Sequence, residues 1–232
     1  MRAIPATLTS MEQQIISLLQ SDKYARKAAA LEAELARIDE DLHSSSEKDR
    51  LHAARALNRL ARAELSWMLL SVRNHFLSPA FRDLLDPVID TADARTRAIL
   101  LHTMRNAYER YIVHPMWGDL RREDDGSWWD AWILSTGETF IENSDLPIRG
   151  EAAYLLALSG DPRGWETYLE IVPKRSALLG QLELAILLCP DSRTPAMVDS
   201  ILALADETER RHPGQAYTAQ SIRDALRVRF GD

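Results

Sequence analysis

Between residues 24 and 42 the apolar side chains recur in alternating steps of four and three: Tyr24, Ala28, Leu31, Leu35, Ile38 and Leu42. Steps of that size place all six on one stripe of an α-helix, whereas a half-buried strand repeats every two residues. Lys23, Arg26, Lys27, Glu32, Glu34, Arg37 and Asp39 fill the remaining faces, which are therefore suited to water. The rest of the chain has no better material for a sheet. Its 232 residues include 33 Leu and 30 Ala but only 6 Val and 11 Thr. Leu and Ala are strong helix formers, and β-branched residues are the ones strands favour. The expected fold class is all-α.

A heptad-like seam of this kind needs a partner helix. Ser44-Ser45-Ser46 interrupts it, and Ser46 with Asp49 opens a second helix that should run to about Asn74, with Ala54, Leu57, Ala61, Leu65, Met68 and Val72 facing inward. The simplest solution is an antiparallel helical hairpin within residues 1–77. A homodimer through the 24–42 seam is the alternative, although fewer than three heptads make a short intermolecular coil. Upstream, Ser10 and Gln13 have the form of a capping box before a short amphipathic helix. Beyond residue 77, Ser78-Pro79 and Asp93 read as helix starts, with Pro87 kinking or restarting the first of these helices and Pro115 forbidding continuation of the second. Residues 114–126 read as a loop, and Ser127 with Asp130 opens a Trp-rich helix. After Asp145 the helices become short and paired. Leu146-Pro147 starts one, Gly160 takes a left-handed cap position, Asp161-Pro162 starts the next and Pro173 stops it. Thr194-Pro195 repeats the Asp161-Pro162 start 33 residues later, a helical-hairpin period, and a last helix around 215–229 closes the series.

The run from Pro147 to Pro162, with Arg149 near the helix start, paired Ala152-Ala153, Leu155-Leu156 and a Gly160-Asp161-Pro162 turn, resembles the first helix and turn of a HEAT-like repeat. The likeness is mainly in residues 146–210. It implies an α-solenoid of stacked helix pairs over 78–232, packed as one unit with the N-terminal hairpin, and a scaffold that grips a partner protein on one face.

The chain carries 28 basic and 35 acidic residues, a net charge of −7. Residues 78–145 alone hold 7 Arg and 13 Asp or Glu, a local net of −6. Such a surface repels nucleic acid and anionic lipid and favours a basic partner. The single Cys189 lies in an apolar run and admits no internal disulfide. The first twenty residues lack the apolar core of a signal peptide, and the longest apolar run, 152–158, is far short of a membrane span, so a cytoplasmic protein is expected. His43, His52, His75, His102, His114 and His212 include no pair at helical metal-ligand spacing. No phosphate loop or nucleophile elbow is present. The expectation is a non-catalytic adaptor or inhibitor with no metal and no cofactor.

Four of six Trp fall within sixteen residues, Trp117, Trp128, Trp129 and Trp132, around the polar run 119–126. Trp and Arg dominate interface hot spots. Because Trp128 and Trp132 are one turn apart, they are expected to share the buried face, leaving Trp129 exposed. The expected contact residues are Trp117, Arg121, Arg122, Asp124, Asp125 and Trp129. Ser127-Trp128-Trp129-Asp130 also resembles a segment of the HEAT-like alkylpurine DNA glycosylases, which implies an alternative function on alkylated bases. That family's catalytic Asp, three residues further on, corresponds here to Ile133.

Overall fold

The structure is a computed structural model. It describes residues 22–62, 70–113, 127–174, 179–188, 195–211, 214 and 216–231. Among them there are helices and no strands, as the Leu and Ala usage requires. α1 (Asp22–Leu42) and α2 (Glu47–Arg62) pack on each other across a four-residue connection, with Ser46 Oγ accepting from Asp49 N–H at 3.3 Å. Leu35, Ile38 and Leu42 of the seam are buried within the chain, so this part of the stripe is already covered. α2 ends at Arg62 and α3 is Leu70–Leu77, so the middle of the long helix expected up to Asn74 falls on 63–69, outside the described residues. The capping box at Ser10 lies outside them as well.

The proline and aspartate signals act as starts. Ser78 caps α4 (Pro79–Thr91), which continues through Pro87 without restarting. Asp93 accepts from the N–H groups of Arg95 and Thr96 and opens α5 (Ala94–Tyr108). α5 then passes into a π-helical turn, Glu109–Val113. α6 is Ser127–Phe140 and α7 is Leu146–Leu158, capped by the Asp145 carboxylate on Ile148 N–H at 3.2 Å. Gly160 has φ +86°, and Asp161 N–H donates to Leu156 O at 3.0 Å, the six-to-one bond of a Schellman cap. α8 (Pro162–Ile171) follows at once, then a 3-10 turn through Lys174, α9 (Leu179–Leu188), α10 (Pro195–Arg211) and α11 (Ala216–Phe230). Pro162 and Pro195, 33 residues apart, each form the first residue of a helix.

α7 is the centre of the molecule. Ile148 and every residue from Gly150 to Leu158 are buried, because α5, α6, α8 and α9 all pack against it. Two glycines make the fit possible. A Cβ on Gly137 of α6 would sit 2.6 Å from Leu156 Cγ, and one on Gly164 of α8 would sit 2.3 Å from the Ala157 backbone nitrogen. Both neighbours therefore approach α7 at backbone distance. α2 packs on α5, α5 on α7 and α7 on α9, and α11 packs on both α9 and α10.

Candidate functional site

The Trp-rich helix forms the wall of an aromatic core. Trp129 is fully buried, and its Nε1 donates to Phe76 O at 3.2 Å. Trp132 is 2% exposed and donates from Nε1 to Asp86 Oδ1 at 2.6 Å. Phe81 touches both indoles, and Tyr108 tilts against Trp129. The expectation that Trp129 faces solvent is therefore wrong. Trp129, Trp132, Ile133, Thr136, Gly137 and Phe140 follow the three-four rhythm of the buried stripe, and Trp128 lies at its edge, half-buried. Comparing Trp128 only with Trp132 overlooked the four later members that fix the stripe. Ile133, in the glycosylase family's catalytic position, is fully buried in this core. Trp117, Arg121, Arg122, Asp124 and Asp125 lie outside the described residues.

A second cluster was not foreseen. His102, Arg105 and Glu109 stand on one side of α5 and its π turn, at steps of three and four, and meet α7 and α9. The Arg105 guanidinium is 3% exposed, with Nε 3.2 Å from Glu151 Oε2. Its Nη1 donates to Gln181 Oε1 at 2.7 Å, and its Cζ lies 4.5 Å from the centre of the Tyr154 ring. One side chain thus ties α5, α7 and α9 together. Burial alone would make Arg105 easier to deprotonate, but Glu151 and Glu109 outweigh it and raise its pKa. His102 Nδ1 is 2.9 Å from Glu151 Oε1 and 2.7 Å from Arg105 Nη2. A protonated Nδ1 donates to the carboxylate, whereas an unprotonated one accepts from the guanidinium, so the tautomer decides which neighbour it serves.

Glu109 starts the π turn and is buried, which pushes its pKa upward, with Arg105 pulling it back. The Tyr154 hydroxyl is likewise driven well up by burial, with the Glu109 charge adding to the effect. The Glu109 carboxylate and the Tyr154 hydroxyl face each other in this buried cluster, and their mutual hydrogen bond opposes the rise at Glu109 and adds to the rise at Tyr154. An imidazole on a carboxylate beside a second, proton-favouring carboxyl has the ingredients of acid–base chemistry. Here, however, the imidazole nitrogen and its carboxylate are engaged with a buried guanidinium, an arrangement that ties helices together. Arg105 and Glu109 lie one helical turn apart, between the buried pairs Leu100-Leu101 and Tyr111-Ile112.

Between α4 and α6 runs a groove of about 190 Å³ whose lining includes Asp86, Asp90, Trp132 and Phe140. No group of three His, Cys, Asp or Glu suited to a metal occurs among the described residues, and no helix there is long and apolar enough to cross a membrane. The chain matches no family model, no curated protein and no solved structure.

Proposed function

We propose that the chain is a non-catalytic adaptor or inhibitor module that grips a basic partner protein in the cytoplasm, built as a helical hairpin leading into a HEAT-like solenoid. The observation that carries this reading is the series of helices α2, α5, α7 and α9, each packed on the next. In a solenoid the helices that flank such a series present an extended face, and α7 itself is enclosed here. The Arg105 network supports it by fixing α5, α7 and α9 relative to one another through the Glu151 and Gln181 contacts. A face held in place before binding loses less freedom when the partner arrives. Asp83, Asp90, Asp130, Glu138 and Glu142 are exposed on the acidic middle third, which suits a basic partner. Trp117, Arg121, Arg122, Asp124 and Asp125 remain the proposed contact residues, and Trp129 belongs to the core.

Photo-crosslinking side chains placed one at a time at Trp117, Thr139, Leu202 and Tyr217 of the full chain, in its own cells, test the reading. Expected is a discrete protein adduct from at least one position, lost in a folded Trp117→Ala, Arg122→Ala double variant if the loop makes the contact. Folded variants that give no protein adduct at any position overturn the adaptor function.

A further inference from the structure

The groove between α4 and α6 has a lining of unusual hydrogen-bond character. The Ser135 hydroxyl donates to Trp132 O at 3.0 Å, and the Thr139 hydroxyl donates to Ser135 O at 2.9 Å. Each has spent its only proton, so both oxygens turn lone pairs outward. Asp86 and Asp90 add carboxylates on the facing helix. Asp90 is exposed, and its carboxylate has no ion-pair or hydrogen-bond partner among the described residues, while Asp86 retains 42% of its side-chain exposure. Arg82 also lines the groove, and the edges of Trp132 and Phe140 close its floor with both rings almost fully buried. Asp90 also sits in the last turn of α4, where the negative end of the helix dipole favours a cation.

The chain's own arginines show what this lining accepts. At one end Arg82 Nε donates to Asp86 Oδ2 at 3.2 Å. At the other, the Arg97 guanidinium lies 5.4 Å from the centre of the Phe140 ring and donates to Ile89 O and Asp90 O at 2.7 and 2.9 Å. Several acceptors spread along the groove match a planar guanidinium, which brings five N–H donors in a fixed fork, better than a compact ammonium. The volume lies below the roughly 300 Å³ at which pockets for drug-sized ligands begin, so the groove suits one side chain.

We infer that this groove receives an arginine side chain presented by a partner protein, with Asp90 as its free carboxylate and the Ser135 and Thr139 oxygens as further acceptors. The inference rests on the adaptor reading and names the chemistry by which the partner is recognised.

The test uses the full chain and the indole N–H resonance of Trp132, assigned by its loss in Trp132→Phe. That proton points at Asp86 and reports on the groove from inside it. The probes are N-acetylarginine amide and N-acetylcitrulline amide, which share a shape and differ in charge. Saturable movement of the Trp132 signal with arginine, little with citrulline, and binding weakened about three- to fivefold in Asp90→Asn are expected. Unchanged signals from the other indoles show that the variant is folded. A Trp132 signal that does not move, or moves equally with citrulline or in Asp90→Asn, overturns the inference. Adducts at Tyr217 or Leu202 alongside such a result leave the adaptor reading standing and remove only the groove. Absence of adducts at every position removes the adaptor reading, whatever the arginine titration shows.

Discussion

Asp39 of α1 and His75 of α3 face each other at 4.0 Å, where the two helices pack. Asp39 Oδ1 and His75 Nε2 are both buried without a hydrogen-bond partner. Burial raises the Asp39 pKa from 3.8 to about 6, with the His43 charge opposing the rise, and burial lowers His75 from 6.5 to about 4. The two have opposite consequences on acidification. For Asp39 the folded state takes the proton first, so stability is gained as pH falls through 6 and the gain is complete below 3.8. For His75 the unfolded state takes it first, so stability is lost from 6.5 downward until the folded imidazole also charges near 4. At about 1.4 kcal/mol per tenfold change in proton affinity, each effect is capped near 3 kcal/mol. Asp39 keeps 36% of its side-chain exposure, so solvent screening brings its share to roughly 1–2 kcal/mol. In the wild type the Asp39 gain offsets about half of the His75 loss between pH 7 and 4.5.

Removing either partner exposes the other term. Asp39→Asn should lose about 1–2 kcal/mol more than wild type between pH 7 and 5, and His75→Gln should gain by a similar amount relative to wild type. Urea melts at several pH values measure both, and comparison with wild type cancels the other titrating groups. The double variant, with neither term, should lie between the two single variants. Single variants whose pH profiles run parallel to wild type, or deviate in the same direction, would refute the reasoning.

Gly164→Ala forces α8 off the backbone of α7 and should cost about 1–3 kcal/mol or more in chemical denaturation, whereas Gly214→Ala, with open space around it, should change little. Arg105→Met leaves the Glu151 charge buried and should cost about 3–5 kcal/mol, much of it recovered on adding Glu151→Gln; a double variant as unstable as the sum of the singles would count against the ion pair. Trp129→Ala should cost about 3–5 kcal/mol and Trp128→Ala clearly less, a ranking that equal melting temperatures would contradict.

Helix starts were the most readable part of the sequence, because a capping side chain and a proline act within one turn. Ser78, Asp93, Asp145 and Asp161 each accept from the N–H groups their spacing predicts. Gly160 was readable for the same local reason, since a cap with φ +86° strongly favours glycine. Burial was less readable. Trp129 was misplaced because two positions do not define a stripe, and the later members Ile133, Thr136, Gly137 and Phe140 do. The polar network escaped because its partners come from residues 46 and 76 positions away, Arg105 with Glu151 and with Gln181, and no local pattern encodes which helices become neighbours. The groove escaped similarly, since Asp86 and Ser135 meet only once α4 and α6 are packed.

The enclosure of α7 bears on how the molecule opens. A helix walled on four sides has no route to solvent that does not first detach a neighbour, so its amide hydrogens should exchange last, at the rate of global unfolding. A cut at the Gly160 turn would then leave two fragments that each expose part of an apolar wall built for the other, so they should reassociate when mixed, with α7 as the piece the second fragment lacks.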